Sequence, residues 1–358
     1  MSLSIGIVGL PNVGKSTLFN ALTKNQVLAA NYPFATIEPN VGVVNVPDTR
    51  LQKLAEISSS AQTIPASCTF VDIAGIVSGA SRGEGLGNKF LSHIRECNAI
   101  VQVVRAFEDP LITHVENKTD PKADIETINA ELILADLTTV ESRLERIKSE
   151  LKADPKLAPL KALLEKTKAG LDEAKLAGSF LSAEEMHDLH DMQLLTAKPF
   201  IIVFNLDETQ LGNEQLKKEL EAIVSPCPAV FLCAKVEAEL QDLSEIEAKE
   251  LLAGLGQTES GLESLIRLGY QTLGFETFFT TGPKETRGWV MRAGYTAPQA
   301  AGVIHGDFEK NFIKAEVVTY EDFVAGRGWA GAKESGKVRL EGKDYTMQDG
   351  DIVVIRHS

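Results

Sequence analysis

The residues best suited to chemistry lie near the start of the chain. The segment from Gly9 to Ser16 reads GLPNVGKS and matches the pattern G-x-x-x-x-G-K-[ST]. Glycines let the backbone curl so that its N–H groups converge on phosphate oxygens, and a following helix N-terminus adds partial positive charge. The Lys15 ammonium suits the β- and γ-phosphates, and the Ser16 hydroxyl suits Mg²⁺. The pattern predicts a nucleoside triphosphate site made by Asn12, Val13, Gly14, Lys15, Ser16 and Thr17.

A second group of candidates surrounds the sequence DIAG, which begins at Asp72 after an apolar run. A carboxylate at the end of a neighbouring strand holds Mg²⁺ in P-loop enzymes, and the Gly75 N–H is placed to reach a γ-phosphate. Thr36, between the two motifs, is expected to complete the metal shell. The predicted magnesium ligands are therefore Ser16, Thr36 and Asp72. Because Thr36 and Gly75 would contact only an intact γ-phosphate, hydrolysis is expected to release both loops.

Two later segments are expected to read the base. The run NLDE from Asn205 and the run CAK from Cys233 each follow an apolar strand pattern, and they correspond to the N-K-x-D and S-A-K elements of GTPases. Guanine selection needs a carboxylate that accepts from N1–H and the 2-amino group. Here that position is Glu208, longer by one methylene, and Leu206 replaces the Lys that covers the base. Cys233 and Ala234 keep one guanine-type feature, so the residues alone leave ATP and GTP open.

Composition narrows the possible partners. The chain has 358 residues, with 50 Asp+Glu against 36 Lys+Arg and a formal charge of −14. This balance argues against DNA and anionic membranes, and RNA would need a local basic patch. No window approaches the ~18 apolar residues of a membrane span. The four cysteines form no C-x-x-C pair, which predicts reduced thiols without a metal. With no secretory signal pattern, the protein is expected to be cytoplasmic.

The elements that must position these residues follow an α/β pattern. Several of the strand-like runs are apolar on both faces, as expected for a parallel sheet covered by helices. Helical patterns are expected over Glu214–Val224 and Glu245–Leu252. The predicted strands are Ile5–Val8, Val41–Val46, Thr69–Ile73, Ala99–Val104, Phe200–Phe204 and Ala229–Cys233.

Two apolar seams of heptad spacing interrupt this pattern. The first runs from Leu137 to Leu151 and the second from Leu157 to Ala174, with Asp154-Pro155 between them. They predict an antiparallel helical hairpin, and the alternative is two helices packed flat on the main domain. Ser182 and Glu185 have capping-box spacing, which predicts the start of a third helix.

The last part of the chain, from Glu276, contains short strand patterns, turns and frequent glycines, which predict a separate β-rich domain. The expected domains are therefore a nucleotide-binding domain over residues 1–120 and 196–275, a helical hairpin over 121–195 and a C-terminal domain over 276–358.

Taken together, these motifs resemble the YchF/Obg-like ATPase family. The resemblance covers essentially the whole chain in order. It is carried by GLPNVGKSTLFNALT from Gly9, YPFATIEPN from Tyr32, GEGLGN from Gly83, APQAAG from Ala297 and EGKDY from Glu341.

The resemblance implies a specific architecture and function. It implies an α/β fold with a P-loop GTPase-like domain interrupted by an α-helical hairpin (coiled coil), followed by a C-terminal TGS domain of ubiquitin-like type. It also implies Mg²⁺-dependent ATP binding and hydrolysis, ATP preferred over GTP, and a base held near Asn205 and Leu206. The implied partner is the ribosome, its large subunit or RNA, in translation or stress regulation.

The group that activates water is missing from its usual place. In Ras-like enzymes a Gln follows D-x-x-G, but this position is Ile76, which neither donates nor accepts hydrogen bonds. Slow intrinsic turnover is therefore expected, and Pro11 reinforces it by crowding the γ-phosphate side. Three replacements are open: K⁺ near Asn12, a partner acting in trans, or His114, which aligns with a histidine proposed as catalytic in the family.

Three functions remain open from the sequence. The leading hypothesis is an ATP-driven molecular switch that acts on the translation machinery. The first rival is an Obg-type GTPase. The second is an RNA- or ribosome-binding adaptor in which the nucleotide is only a structural ligand.

Overall fold

The structure is a computed structural model that describes residues 4–24, 41–73, 86–107 and 119–358, with only the backbone of 86–89. The predicted site residues Thr36, Gly75 and His114 lie outside the described residues. The chain divides into two compact units. The first comprises Met1–Gly42 and Thr69–Leu265, and the second comprises Val43–Cys68 and Ile266–Ser358.

The helices and strands are numbered in chain order. The strands are β1 Ser4–Val8, β2 Val41–Asn45, β3 Gln62–Ile64, β4 Ser67–Asp72, β5 Ala99–Arg105, β6 Phe200–Asn205, β7 Ala229–Leu232, β8 Phe275–Thr281, β9 Glu285–Arg292, β10 Phe312–Val318, β11 Arg339–Glu341 and β12 Ile352–His357. The helices are α1 Lys15–Lys24, α2 Thr49–Ser58, α3 Leu86–Glu96, α4 Pro121–Glu150, α5 Ala158–Asp172, α6 Ala183–Asp188, α7 Glu214–Val224, α8 Ala234–Leu240, α9 Glu245–Gly254, α10 Gly261–Thr272, α11 Ala297–Ile304, α12 Gly306–Lys310, α13 Tyr320–Ala325 and α14 Trp329–Glu334.

One six-stranded sheet has the order β2-β4-β1-β5-β6-β7, and its strands β1, β5, β6 and β7 lie wholly in the first unit. The pairs β4–β1, β1–β5, β5–β6 and β6–β7 are parallel. Every residue of β5 and β6 is buried, which explains why these strands are largely apolar on both faces. Because parallel strands end at one edge, this topology collects the segments after β1, β4, β6 and β7 in one region. The α/β fold predicted from the sequence is confirmed.

The predicted helical hairpin is present. The alternative, helices packed flat on the main domain, applies only to the first turns of α4. Ile125, in the first turns of α4, packs with Val104 and Phe204 on the sheet. The second half of the 30-residue α4 packs instead against α5. Lys168 lies 3.1 Å from Glu141, so α5 runs back along α4. The buried residues of this core are Ile133, Val140, Leu144, Ile147, Leu164, Leu171, Ala177, Leu181, Leu189 and Leu194.

A buried carboxylate ties this insertion to the sheet. Asp136, on α4, is fully buried and accepts hydrogen bonds from the Leu195 N–H at 2.9 Å and the Thr196 N–H at 2.8 Å. Burial raises the pKa of Asp136, and these donors act against that shift. The bonds fix the chain just before it enters β6.

The predicted starts of helices α6, α7 and α9 are confirmed. Ser182 and Glu185 form the predicted capping box at the start of α6, and α7 has the predicted bounds. The α9 helix begins at Glu245 as predicted and ends two residues later than expected. Capping and periodicity are short-range signals, so the sequence carries them in full.

The second unit contains a six-stranded sheet of order β11-β10-β12-β8-β9-β3. Residues 275–358, all of which are described, contain four helices beside five strands, so this part is mixed rather than simply β-rich. One face packs on α11 around Phe278 and Val317. The other face packs on α2, α13 and α14 around Phe279 and Ile352.

The second unit also takes a segment that sequence reasoning assigned to the nucleotide-binding domain. Helix α2 supplies Leu51 and Leu54 to the core around Phe279, and β3 pairs with β9 in parallel. The predicted division into 1–120 with 196–275, 121–195 and 276–358 remains a prediction, and in this structure residues 43–68 lie with the last of these parts.

Four free cysteines are present, three of them buried and Cys227 half-buried. In the described part of the chain, no helix combines the length and apolarity needed to cross a membrane.

Candidate functional site

The loop between β1 and α1 has a backbone that only glycine permits at two points. A Cβ at Gly9 would lie 2.5 Å from the Val103 carbonyl oxygen. Gly14 has φ of 99°, and a Cβ there would clash with Nδ2 of Asn205. Asn12 has φ of 62°, in the left-handed region that Asn tolerates better than most residues. The curled loop leads directly into the N-terminus of α1 at Lys15, an arrangement that suits an anion.

The Lys15 side chain is held inside this loop. It is 8% exposed, and its Nζ donates to the Leu10 carbonyl oxygen at 2.6 Å. Burial lowers the pKa of Lys15 to about 8, and the carboxylate of Asp72 opposes that shift. The ammonium therefore already lies in the loop, where phosphate oxygens can replace the carbonyl as acceptors.

Two of the predicted magnesium ligands are described and suit that ion. Ser16 is exposed on the first turn of α1, and Asp72 ends β4, where it pairs with Ile7 of β1. Burial raises the pKa of Asp72, and the nearby Lys15 lowers it. Hydroxyl and carboxylate oxygens are the hard donors that Mg²⁺ prefers. Within the described ranges, no group of three or more His, Cys, Asp or Glu side chains could hold a metal.

Asn205 joins the phosphate loop to the segment after β7. Its side-chain Nδ2 donates to the Val13 carbonyl oxygen at 2.9 Å, and its Oδ1 accepts from the Ala234 N–H at 2.9 Å. Asn205 is 4% exposed, so both bonds are shielded from water. The amide thus acts as a clasp, in which one side chain fixes two loops that are distant in sequence.

The other predicted base-binding residues lie around this clasp. The Leu206 side chain is 1% exposed and packs in the core with Phe204 and Leu240, so only its backbone is available to a base. Glu208 is exposed. The Cys233 thiol is buried, and its pKa is raised first by that burial and then by neighbouring carboxylates, including that of Glu208.

Some features of the site were missed from the sequence. The Leu10 carbonyl as the partner of Lys15 has no local signal, because a backbone acceptor is independent of residue type. Asp207, inside the predicted base-reading run, uses its carboxylate to accept from the Thr209 N–H at 3.0 Å. The hydrogen bonds of Thr209 lower the pKa of Asp207. This carboxylate therefore caps the turn at Glu208–Gln210.

Comparison with known proteins places this geometry in a family. A model described as a 50S ribosome-binding GTPase matches residues 4–138. The C-terminal domain model of YchF GTPases, described as a protein of unknown function, matches residues 275–358. The ribosome-binding ATPase YchF of Bacillus subtilis (strain 168) is 52% identical over 363 residues, covering 99% of each chain. The chain belongs to the YchF/Obg-like ATPase family.

More distant members of the YchF family agree with this assignment. The Obg-like ATPase 1 of Gallus gallus is 43% identical, covering 99% of this chain and 92% of its own. The solved structure of the Schizosaccharomyces pombe YchF GTPase has a TM-score of 0.87 at 38% identity, covering 99% of this chain and 98% of its own. The family resemblance inferred from the sequence is confirmed over the full chain.

Proposed function

We propose that this YchF-family protein is a ribosome-associated ATPase, a cytoplasmic switch with slow intrinsic turnover that acts in translation or stress regulation. The observation that carries the proposal is the glycine-lined loop around Lys15, clasped by Asn205. It occurs in a chain 52% identical to a protein named ribosome-binding ATPase YchF. The ribosome, its large subunit or RNA, is the proposed partner on the basis of such names.

Each part of the phosphate site has a proposed role. Backbone N–H groups of residues 12–17 hold the phosphates, and Lys15 neutralises the β- and γ-phosphate charge. Ser16 and Asp72, with Thr36, hold Mg²⁺, which would neutralise further charge on the phosphates when bound. Gly75 senses the γ-phosphate. The Lys15 position supports this proposal, because its ammonium lies 2.6 Å from a backbone oxygen of the same loop.

The base is proposed to be adenine. The Leu206 side chain faces the core, so it cannot cover a base as the GTPase Lys does. The backbone of Asn205 and Leu206, the exposed Glu208 and the loop at Cys233 and Ala234 remain as the groups that read its edge. The relative in Schizosaccharomyces pombe is called a GTPase, so GTP is the competitor to test.

Water activation needs a group other than the residue after the DIAG motif, which is Ile76. We propose His114 as the group that orients or deprotonates water, with K⁺ near Asn12 or a partner in trans as the alternatives. Asn12 is exposed and carries left-handed backbone geometry, which presents its side chain at the loop surface. Replacing K⁺ with Na⁺ without a change in rate would exclude the cation.

The architectural details of the proposal concern two segments. The helices α4 and α5 are proposed as a coiled-coil hairpin, since their facing residues recur at heptad spacing. Residues 276–358 are proposed as a TGS domain of ubiquitin-like type, with four helices and five strands in residues 275–358.

Two measurements test the function. Competition of ATP and GTP against a fluorescent ATP analogue with Mg²⁺ is expected to favour ATP, and equal or stronger GTP competition would favour the GTPase hypothesis. Cosedimentation with ribosomes is expected to depend on nucleotide in the wild type and to lose this dependence in Lys15→Ala. Equal ribosome binding by both proteins, with and without nucleotide, would favour the adaptor.

Alkaline pH is expected to weaken ATP binding through Lys15. Its pKa is lowered to about 8 by burial, so above that pH the free protein has a neutral amine that must take up a proton to bind phosphate. The contribution of Lys15 to the affinity for an ATP analogue should be nearly constant well below this pKa and fall up to about tenfold per pH unit above it. A titration at pH 7.5, 8.5 and 9.5 measures this, and a flat profile would show that Lys15 does not bind as an ammonium.

A further inference from the structure

A buried carboxyl group lies beside the clasp without any part in the phosphate site. Glu237, on α8, is 3% exposed. Its Oε1 accepts from the N–H of Gly261, the first residue of α10, at 2.6 Å. Its Oε2 is buried and has no hydrogen-bond partner. A buried polar atom left in this state costs free energy, so the position of this side chain calls for a reason beyond packing.

The junction between α8 and α10 is tightly fitted. A Cβ at Gly261 would clash with Cβ of Leu232 and would lie 2.9 Å from Oε1 of Glu237. The start of α10 therefore packs its bare backbone against the end of β7 and against the Glu237 carboxyl. Any residue larger than glycine must displace α8 or α10.

Helix α8 and two side-chain hydrogen bonds of Asn205 connect this junction to the phosphate loop. Helix α8 has seven residues and begins at Ala234, whose N–H donates to Asn205. Asn205 in turn donates to the Val13 carbonyl oxygen. Glu237 lies about one turn after Ala234 on the same short helix, so a shift at Glu237 moves the start of α8.

We propose that Glu237 is a positioning residue, whose bond to α10 holds α8, and with it the loop at Cys233 and Ala234, in place for the nucleotide base. The proposal rests on the proposed nucleotide-binding function. Glu237 does not touch the nucleotide itself; it acts through Ala234.

The charge of Glu237 makes this contact sensitive to pH near neutrality. Burial is the main cause that raises the pKa of Glu237 to about 7, and Glu263, on the first turn of α10, raises it further. The hydrogen bond from the Gly261 N–H acts in the opposite direction. Because the folded pKa lies above the ordinary value of 4.5, the packed arrangement favours the protonated carboxyl. Ionisation as pH rises through this pKa therefore opposes the packing of α8 on α10.

The test compares nucleotide affinity between pH 6.0 and 7.5, where most of the Lys15 side chains still carry their charge. The wild type is expected to bind a fluorescent ATP analogue with Mg²⁺ up to about fourfold more weakly at pH 7.5 than at pH 6.0. Glu237→Gln, which is neutral at every pH, is expected to keep the tighter affinity throughout. Glu239→Gln, an exposed position on the same helix, is the matched control and should follow the wild type. A Glu237→Gln profile that keeps the wild-type slope would overturn the proposal.

A second variant separates positioning from overall folding. Gly261→Ala places a methyl group against Leu232 and Glu237, and it is expected to raise KM for ATP at least fivefold with little change in kcat. An unchanged KM in a folded protein would overturn the proposal. If neither the wild type nor Glu239→Gln bound the analogue at any pH, the proposed function would fail as well, and this outcome is distinct from a retained slope in Glu237→Gln.

Discussion

An Asn205→Ala variant is expected to bind ATP with Mg²⁺ about 100-fold more weakly than the wild type. The substitution leaves the Val13 carbonyl and the Ala234 N–H without their hydrogen-bond partner. Both groups lie beside a side chain that is only 4% exposed, so water does not readily replace it. Each buried group left unpaired costs roughly 1–3 kcal/mol. If this cost destabilises the nucleotide-bound protein by about 2.7 kcal/mol more than the free protein, the affinity falls about 100-fold.

The matched control is another asparagine with a comparable backbone bond. Asn213 caps α7 by accepting from the Leu216 N–H at 3.1 Å, at an exposed position. Asn213→Ala should lose a helix cap, worth about 1 kcal/mol of stability, and leave nucleotide affinity within twofold of the wild type. Equilibrium titration of a fluorescent ATP analogue measures both variants. A loss of less than fivefold in Asn205→Ala would mean that the clasp does not shape the site.

Asn205 also illustrates what the sequence could and could not predict. Its place at the end of a strand follows from an apolar run of known length, and β6 ends at Asn205. Its partners do not follow, because Val13 is 192 residues away in the chain. Sequence reasoning therefore identified the residue as part of the site, and only the fold revealed that its side chain is occupied in joining two loops.

The same limit applies to Leu206 and to Lys15. A motif gives the residue type at a position, but whether a side chain faces a ligand or the core depends on strand register and on the packing of other elements. Leu206 faces the core, and Lys15 bonds to Leu10. Local signals predict structure more reliably, because the interacting residues lie within one helical turn. The capping box of Ser182 and Glu185 is an example.

The segment Val43–Cys68 shows what local sequence signals leave open. Because it lies in sequence between the P-loop and Asp72, the predicted boundaries place it in the nucleotide-binding domain. The sequence pattern within these 26 residues does not predict that α2 packs in a core whose strands come more than two hundred residues later. Only the complementary surface, which the rest of the second unit provides, decides where such a segment packs.

Leu54→Ala is accordingly expected to destabilise the second unit by roughly 2–5 kcal/mol, the range for removing a buried leucine side chain from a packed core. Leu54 is fully buried and belongs to the same cluster as Phe279, Phe323 and Ile352. Helix α2 is further held there by Arg50, whose guanidinium lies 2.7 Å from a carboxylate oxygen of Asp349.

The two tryptophans of the chain make this measurable. Trp289 and Trp329 both belong to the second unit, so tryptophan fluorescence during urea unfolding reports on that unit. The Leu54→Ala midpoint should shift to lower urea without a change in slope. Lys53→Ala, on the exposed side of the same helix, is the control and should shift the transition by less than about 0.5 kcal/mol. An unshifted tryptophan transition in Leu54→Ala would place α2 energetically with the nucleotide-binding unit. A shifted transition would show that helix α2, although it lies in sequence between the phosphate loop and Asp72, contributes to the stability of the second unit.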